Sequence, residues 1–330
     1  PPFSPWGMTV GVDDDQTTLT AAQIEVLETL GATGDERPRF HPNLGRDLHA
    51  SLNTELAQLV PDDLADLPLF VTKRTLAMVH GCRRRWQHED TTDDFAWTPA
   101  IARGSVSHKA IELGIHWSGE TAPLHMVDEA MASYEHGDTG LGYYLQGIEP
   151  ADRAELRARA GERVSAFFEC FPPIEPKWKP VTEGRLKRTL AQERVILQGK
   201  PDLTLGVARG AQAGKVVVDL KTGAPMPDHR ADLRFYALID AMMQGTPPRL
   251  LVTYYLDQAR PVTEPVTEAV LEAEMTRVVD GVRLMVELRT GEREPDLVPS
   301  PSCRWCPLLD DCEHGQAFLE DRADRLGLEE

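Results

Sequence analysis

The chain has 330 residues, 41% of them hydrophobic, with 35 Lys and Arg against 53 Asp and Glu and a net charge of −18. A length of this order builds one large domain or two ordinary ones, and the acidity argues against a protein that coats nucleic acid through a general attractive field, though not against a local basic track. No stretch approaches the roughly 20 apolar residues of a membrane span, and the first residues lack the basic-then-apolar layout of a secretory signal. Five cysteines are too few for a disulfide scaffold, so a reducing cytoplasm is the expected compartment.

In chain order, residues 1–16 are rich in Pro, Gly and Asp and are expected to be poorly ordered. TAAQIEVLETLG (20–31) and RDLHASLNTELAQLV read as two helices. A further helix is expected to end near Gly81, and another to run through ARGSVSHKAIELGIHW (102–117), with Val106, Ala110, Ile111 and Leu113 at helical spacing. A long amphipathic helix covers 151–171. Three β-branched runs follow, KPVTEGRLKRTL, RVILQGKPDLTLGVA and KVVVDLKTG, separated by Gly and polar turns. A mostly apolar helix (230–243), a strand (249–257) and a long helix (265–288) complete the order, which predicts an α/β or α+β sheet with helical cover.

The turn signal ARGAQAG lies midway between Asp202 and Asp219, so a hairpin would set the two aspartates near each other across the ladder. Strand alternation sends Val217, Asp219 and Lys221 to one face. Two carboxylates and an amine near a core need partners. A hard divalent cation would satisfy the carboxylates, and Lys221 could hold a water or stabilise charge on a phosphate oxygen. The plainer reading is a solvated hairpin with one salt bridge.

GKPDLTLG followed by VVVDLKTG resembles the Pro-Asp…(Asp/Glu)-x-Lys signature of the PD-(D/E)XK nuclease superfamily, and more narrowly the RecB-like iron–sulfur nucleases. That group includes the CRISPR-associated spacer-trimming nucleases and the AddB nuclease domain. GSVSH supplies Gly104 and His108 in the place of its Gly-x-x-x-His motif. Glu183 stands where an acidic residue is common, and Tyr236 matches the tyrosine of a Gln-x-x-x-Tyr helix whose glutamine position holds Asp232 here. Cys82 in VHGCRRRW, with Cys303, Cys306 and Cys312 in SPSCRWCPLLDDC, matches the one-plus-three cysteine arrangement of those nucleases.

The resemblance implies a restriction-endonuclease-like mixed central sheet flanked by helices, with a helical iron–sulfur region built from segments before and after the core. It divides the chain into an accessory region (1–70), a first cluster-ligand segment (71–100), a nuclease core (101–295) and a three-cysteine segment with tail (296–330). It implies a DNA exonuclease in which Asp202, Asp219, Lys221, Glu183 and Tyr236 form the catalytic set. His108, Asp202, Asp219 and the Leu220 carbonyl would ligate Mg²⁺ or Mn²⁺. The four cysteines would hold a 4Fe–4S cluster, with zinc the alternative occupant.

Arg83, Arg84 and Arg85 form the densest basic run and the candidate DNA contact, with RARAGER (157–163) and RLKR (185–188) as possible additions. Trp86 and Trp305 could stack on a base or pack around the cluster. The implied setting is repair, recombination or defence. No Walker A sequence is present, so unwinding would need a helicase partner. A non-catalytic DNA-end-binding or scaffold subunit of a helicase or integrase complex is the alternative, and an RNA-directed nuclease a third reading.

Overall fold

Threonine and proline mark where the long helices begin. Thr98 accepts a hydrogen bond from the Ile101 amide and is followed by Pro99 at the first helical position, while Pro123 and Pro150 open two further helices in the same way. The computed structural model describes residues 19–62, 68–92, 95–119, 122–226 and 228–326; the expectation for residues 1–16 lies outside them.

The described elements run α1 (Ala21–Leu30), α2 (Leu44–Leu59), β1 (Leu69–Val71), α3 (Lys73–His80), α4 (Arg83–Thr91), α5 (Pro99–His116), α6 (Pro123–His136), α7 (Gly140–Gly147) and α8 (Pro150–Cys170). Then come β2 (Val181–Thr182), β3 (Leu186–Leu190), β4 (Val195–Gly199), β5 (Leu203–Leu205) and β6 (Val216–Lys221). The chain continues through α9 (Asp228–Gln244), β7 (Leu250–Tyr255), β8 (Arg260–Pro265), α10 (Glu268–Thr290) and α11 (Glu313–Leu326). Among the described residues no helix is long and apolar enough to cross a membrane.

The chain folds as two units. The first takes Pro1–Arg46, Ala96–Leu186 and Lys200–Leu271. Its five-stranded sheet has the order β2-β5-β6-β7-β8, in which β6 and β7 are parallel and the other neighbours antiparallel. The central strand β6 is buried along both faces up to Leu220, as expected of a strand with cover on each side. One face of the sheet, through Leu203, Val216, Val218, Leu220, Val252 and Tyr254, shares a core with α5, α6 and α8. Val26 and Leu30 of α1 belong to that core, and Gln23 donates to the Phe168 and Phe171 carbonyls at the end of α8.

The second unit takes Asp47–Phe95, Lys187–Gly199 and Glu272–Glu330. A three-stranded sheet, β1-β4-β3, holds β1 and β4 parallel, pairing Phe70 with Ile196. Arg194, 5% exposed, donates to the Ala57 and Val60 carbonyls, satisfying orphan acceptors at the end of α2, and to the Ala191 carbonyl in the turn after β3. Gly281 lets α10 approach α3 closely, since a Cβ there would lie 2.5 Å from Leu76 Cδ2.

Several elements depart from the sequence reading. β8 carries two prolines and half-exposed polar residues, so it lacks the apolar alternation that marks a strand, and it sits at the sheet edge where proline is tolerated. β1 is only three residues long, and α6 and α7 lie in a stretch where no expectation was set. The run KPVTEGRLKRTL is divided between sheets, with β2 in the first and β3 in the second.

Tyr254 of β7 meets Phe167 and Phe171 of α8 edge-on, at 5.6 and 5.3 Å between ring centres, while the two phenylalanines stack at 4.8 Å. Phe167 is 1% exposed. Phe167→Ala is therefore expected to lower unfolding free energy by about 3–5 kcal/mol, measured by chemical denaturation; a loss under about 1 kcal/mol would show that the cluster does not anchor α8 to the sheet.

Candidate active site

The antiparallel register of β5 and β6 pairs Leu203 with Val218, and the next step along both strands sets Asp202 against Asp219. The turn between them closes through Arg209 and Gln212, with Gly210 in the left-handed region (φ 57°) that glycine tolerates best. The hairpin read from the sequence is thus present.

Asp202 Oδ2 accepts a 2.6 Å hydrogen bond from the Leu220 amide, and its Oδ1 lies 3.2 Å from His108 Nδ1 on α5. Gly104 lies one turn before His108, and a Cβ there would make ordinary contact with Thr222 Oγ1 at 3.4 Å, which places this turn of α5 against the segment after β6. Asp219 is 1% exposed. Its Oδ2 lies 2.8 Å from Lys221 Nζ, and that ammonium also donates to Asp232 Oδ2 at 2.8 Å. Asp232 and Tyr236, one helical turn apart on α9, face the same strands. The Tyr236 hydroxyl donates to the Lys200 carbonyl at 3.2 Å, two residues before Asp202.

Glu183 follows β2, and its amide donates to the Asp202 carbonyl at 3.1 Å. Its backbone is left-handed (φ 53°) and its carboxylate pairs with Lys200. Burial pushes the Glu183 carboxyl above the usual range; the charges of Asp202 and Glu112 add to this and Lys200 opposes it. Glu112 stands one turn beyond His108 on α5, a spacing that could have flagged it in the sequence.

The predicted residues therefore gather in two groups, His108 with Asp202 and the Leu220 amide, and Asp219 with Lys221 and Asp232. Among the described residues no three His, Cys, Asp or Glu side chains converge as a metal shell would. A hydrogen bond from the Leu220 amide holds Asp202, and the Lys221 ammonium stands in ion-pair contact with Asp219. The second unit contains the other predicted residues. Cys82 precedes α4, Cys303 and Cys306 lie in and after a 3-10 turn (Pro301–Trp305), and Cys312 precedes α11.

All four cysteines line one cavity of about 480 Å³ with Arg84 and Arg85. Burial pushes the Cys306 thiol up, and the neighbouring Cys82 and Cys303 add to the effect. Arg83 pairs with Asp296 and Arg85 with Glu89, so much of the basic run is tied to carboxylates. Trp86 is buried, whereas Trp305 is 58% exposed under the Arg304 guanidinium.

Sequence reasoning missed the network at the end of β7. Asp257 accepts a forked pair from Arg163 of α8 and another hydrogen bond from the Gly223 amide, tying the segments that follow β6 and β7. Nothing local marks Asp257, because its partners lie far away in sequence.

Removing the Lys221 charge leaves buried Asp219 without its ammonium. Lys221→Met is expected to lower stability by about 3–5 kcal/mol, and Asp219→Asn with Lys221→Met should recover part of that loss. Additive losses in a thermal-denaturation cycle would show that the two side chains are not coupled.

The family model of the PD-(D/E)XK nuclease superfamily matches residues 71–313. No curated protein matches the chain. Among solved structures, a candidate exonuclease from Eubacterium rectale aligns over 73% of this chain and 87% of its own, at 14% identity and a TM-score of 0.46. The protein SSO0001 aligns over 81% of this chain and 95% of its own, at 16% identity and a TM-score of 0.32. The family match spans well over half the chain and contains the Asp202, Asp219 and Lys221 hairpin: this protein belongs to the PD-(D/E)XK nuclease superfamily and has its restriction-endonuclease-like mixed α/β fold.

Proposed function

We propose that the chain is a divalent-metal-dependent exonuclease that hydrolyses phosphodiester bonds of DNA. The observation that carries this reading is the β5/β6 register, which sets Asp202 against Asp219 with Lys221 two residues further along the strand. The donor set is chemically suited to a hard divalent ion: two carboxylates and one imidazole, with the Leu220 carbonyl on the same strand. Imidazole suits Mn²⁺ at least as well as Mg²⁺. His108, Asp202, Asp219 and the Leu220 carbonyl would hold the ion, which supplies an acidified water and neutralises charge on the scissile phosphate.

The remaining steps fall to the chain's own groups. The Lys221 ammonium is placed to orient the attacking water and to stabilise charge that develops on a phosphate oxygen. Asp232 holds that ammonium from α9, at the place where the family carries glutamine. Tyr236 fixes the Lys200 carbonyl and so steadies the backbone leading into Asp202. Glu183, left-handed and bonded through its amide to Asp202, shapes the same edge of the sheet.

Assignment to the RecB-like branch rests on Gly104, His108 and the four cysteines. Their shared cavity supports a 4Fe–4S cluster on Cys82, Cys303, Cys306 and Cys312, with zinc as the competing occupant. Such a cluster would tie the segment before the core to the segment after it and stabilise the fold by closing a long loop. Arg83, Arg84 and Arg85 remain the candidate DNA contacts on that unit.

Purified protein is expected to cleave end-labelled single- or double-stranded DNA with Mg²⁺ or Mn²⁺, and to stop when EDTA is added. Asp219→Ala and Lys221→Ala should each reduce cleavage by about 100-fold or more. Activity that survives both substitutions would refute the assigned site. DNA binding without cleavage under any metal would favour a scaffold for a helicase or integrase, and a preference for RNA would change the substrate class. Separately, wild-type protein should contain about four irons by metal analysis, and Cys303→Ala should lose the iron together with solubility or stability. A metal-free Cys303→Ala variant that stays soluble and fully active would rule out the clasp.

A further inference from the structure

Away from the carboxylates, the first unit has a second polar concavity, of about 410 Å³, at the end of the sheet where β6 and β7 finish. Arg103 of α5 lines it together with Glu155, Arg159, Glu162 and Arg163 of α8 and Asp257 after β7. The α8 residues recur at helical spacing and so share one face. Its position is fixed by backbone contacts: the Leu256 amide donates to the Lys221 carbonyl at 2.9 Å, and the Gly223 amide donates to Asp257. Arg103 itself precedes Gly104, the residue that lies against Thr222.

The three guanidiniums differ in how they are matched. Arg159 pairs with Glu162 at 3.3 Å, but both are exposed and such a pair is weak. Arg163 is 12% exposed and gives one edge of its fork to Asp257, while its Nη1 is buried without a hydrogen-bond acceptor. Arg103 makes no ion pair among the described residues, and its Nε is likewise buried without an acceptor. Burial lowers the affinity of Arg103 for its proton, and the nearby charges of Arg163 and Arg159 lower it further, while Asp257 and Glu155 oppose them. Two adjacent cations with unmatched, water-shielded donors are costly in a folded protein. An anion that accepts from both would remove the cost and the repulsion together. Guanidinium forks suit phosphate oxygens in particular.

We propose that the Arg103–Arg163 concavity is a phosphate-binding subsite, which seats a phosphate of the nucleic-acid strand at the end of the sheet where β6 and β7 finish. The assignment rests on the nuclease reading for its substrate class. The phosphate can be a strand-end monoester or an internal diester; both present the same oxygens to the two arginines.

The test is binding of fluorescently labelled single-stranded oligonucleotides of one sequence, carrying 5′-phosphate, 3′-phosphate or hydroxyl ends, measured by anisotropy without added divalent metal and over a range of salt. Arg103→Gln should weaken binding about tenfold, the order of one charged hydrogen bond, and reduce the slope of log K against log salt by about 0.7. Arg103→Lys should restore most of the slope. Because Arg103 is unmatched in the free protein, Arg103→Gln should keep or raise the melting temperature, whereas a residue needed only for the fold would lower it.

A preference for one phosphorylated end that disappears in Arg103→Gln identifies a terminal monoester. Equal weakening of all three oligonucleotides identifies an internal diester. Unchanged affinity and salt slope in Arg103→Gln, or no oligonucleotide binding by the wild type, overturns the subsite. If Arg103→Gln does not fold, Arg103→Met, which keeps the aliphatic stem, decides by the same two readouts: unchanged affinity and salt slope would overturn the proposal. Wild type that binds in an Arg103-dependent way but cleaves nothing with Mg²⁺ or Mn²⁺ leaves the subsite standing and refutes catalysis alone.

Discussion

The pairing of Leu203 with Val218 constrains everything else in the first unit. Because side chains alternate along a strand, a slip of one residue would move Asp219 and Lys221 to the opposite face and exchange them with Val218 and Leu220, which belong to the shared core. The apolar partners of α5, α6 and α8 therefore enforce the register, and the register in turn enforces the proximity of Asp202 and Asp219. The Leu220 amide then fixes the orientation of the Asp202 carboxylate, and His108 meets its other oxygen. Packing on one face of the sheet thus determines the polar arrangement at its edge.

Charge distribution follows a related logic. The overall excess of acid repels a polyanion at long range, but the potential that a bound strand meets is set by groups within about 10 Å. Several arginines among the described residues of either unit are already matched: Arg157 by Asp128, Arg234 by Glu264, Arg289 by Asp90. Matched pairs contribute little net field. The unmatched donors of Arg103 and Arg163 therefore weigh more in recognition than the count of basic residues suggests, and the formal charge of −18 is a poor guide to affinity at this edge.

Much of the site was legible in the sequence because its determinants are local. The Asp202–Asp219 hairpin announces itself through a Gly-containing turn between two β-branched runs, and α5 through its cap and apolar spacing. What escaped notice depends on distant partners. β8 is a strand only because β7 offers it a hydrogen-bonding edge; its own residues have no apolar face. Asp257 gains its place from Arg163 and Gly223, and the second sheet exists because Leu69–Val71 finds Val195–Leu197. The sequence also suggested that His108, Asp202 and Asp219 converge, yet strand positions determine only which backbones are adjacent. Side-chain donors such as Lys221 decide where each carboxylate points.

Helix α9 shows how the lysine of the site is held in place. Asp232, Tyr236 and Asp240 recur at four-residue spacing and so lie along one stripe of the helix. Each meets a polar partner: Lys221 Nζ, the Lys200 carbonyl and Lys215 Nζ. Lys215 and Lys221 bracket β6, so the two aspartates grip the strand just before its start and at its end. Burial drives the Asp240 carboxyl above the usual range despite Lys215, which marks this pair as a costly one. Buried ionic contacts of this kind add little net stability and serve better as positional constraints. An apolar helix face could slide along the sheet by a turn with little penalty, whereas these contacts would be broken by such a shift. Asp232 therefore reaches Lys221 because Asp240 and Tyr236 fix the axial position of α9, and its carboxylate adds a charged restraint on the ammonium to which the proposed chemistry assigns the attacking water.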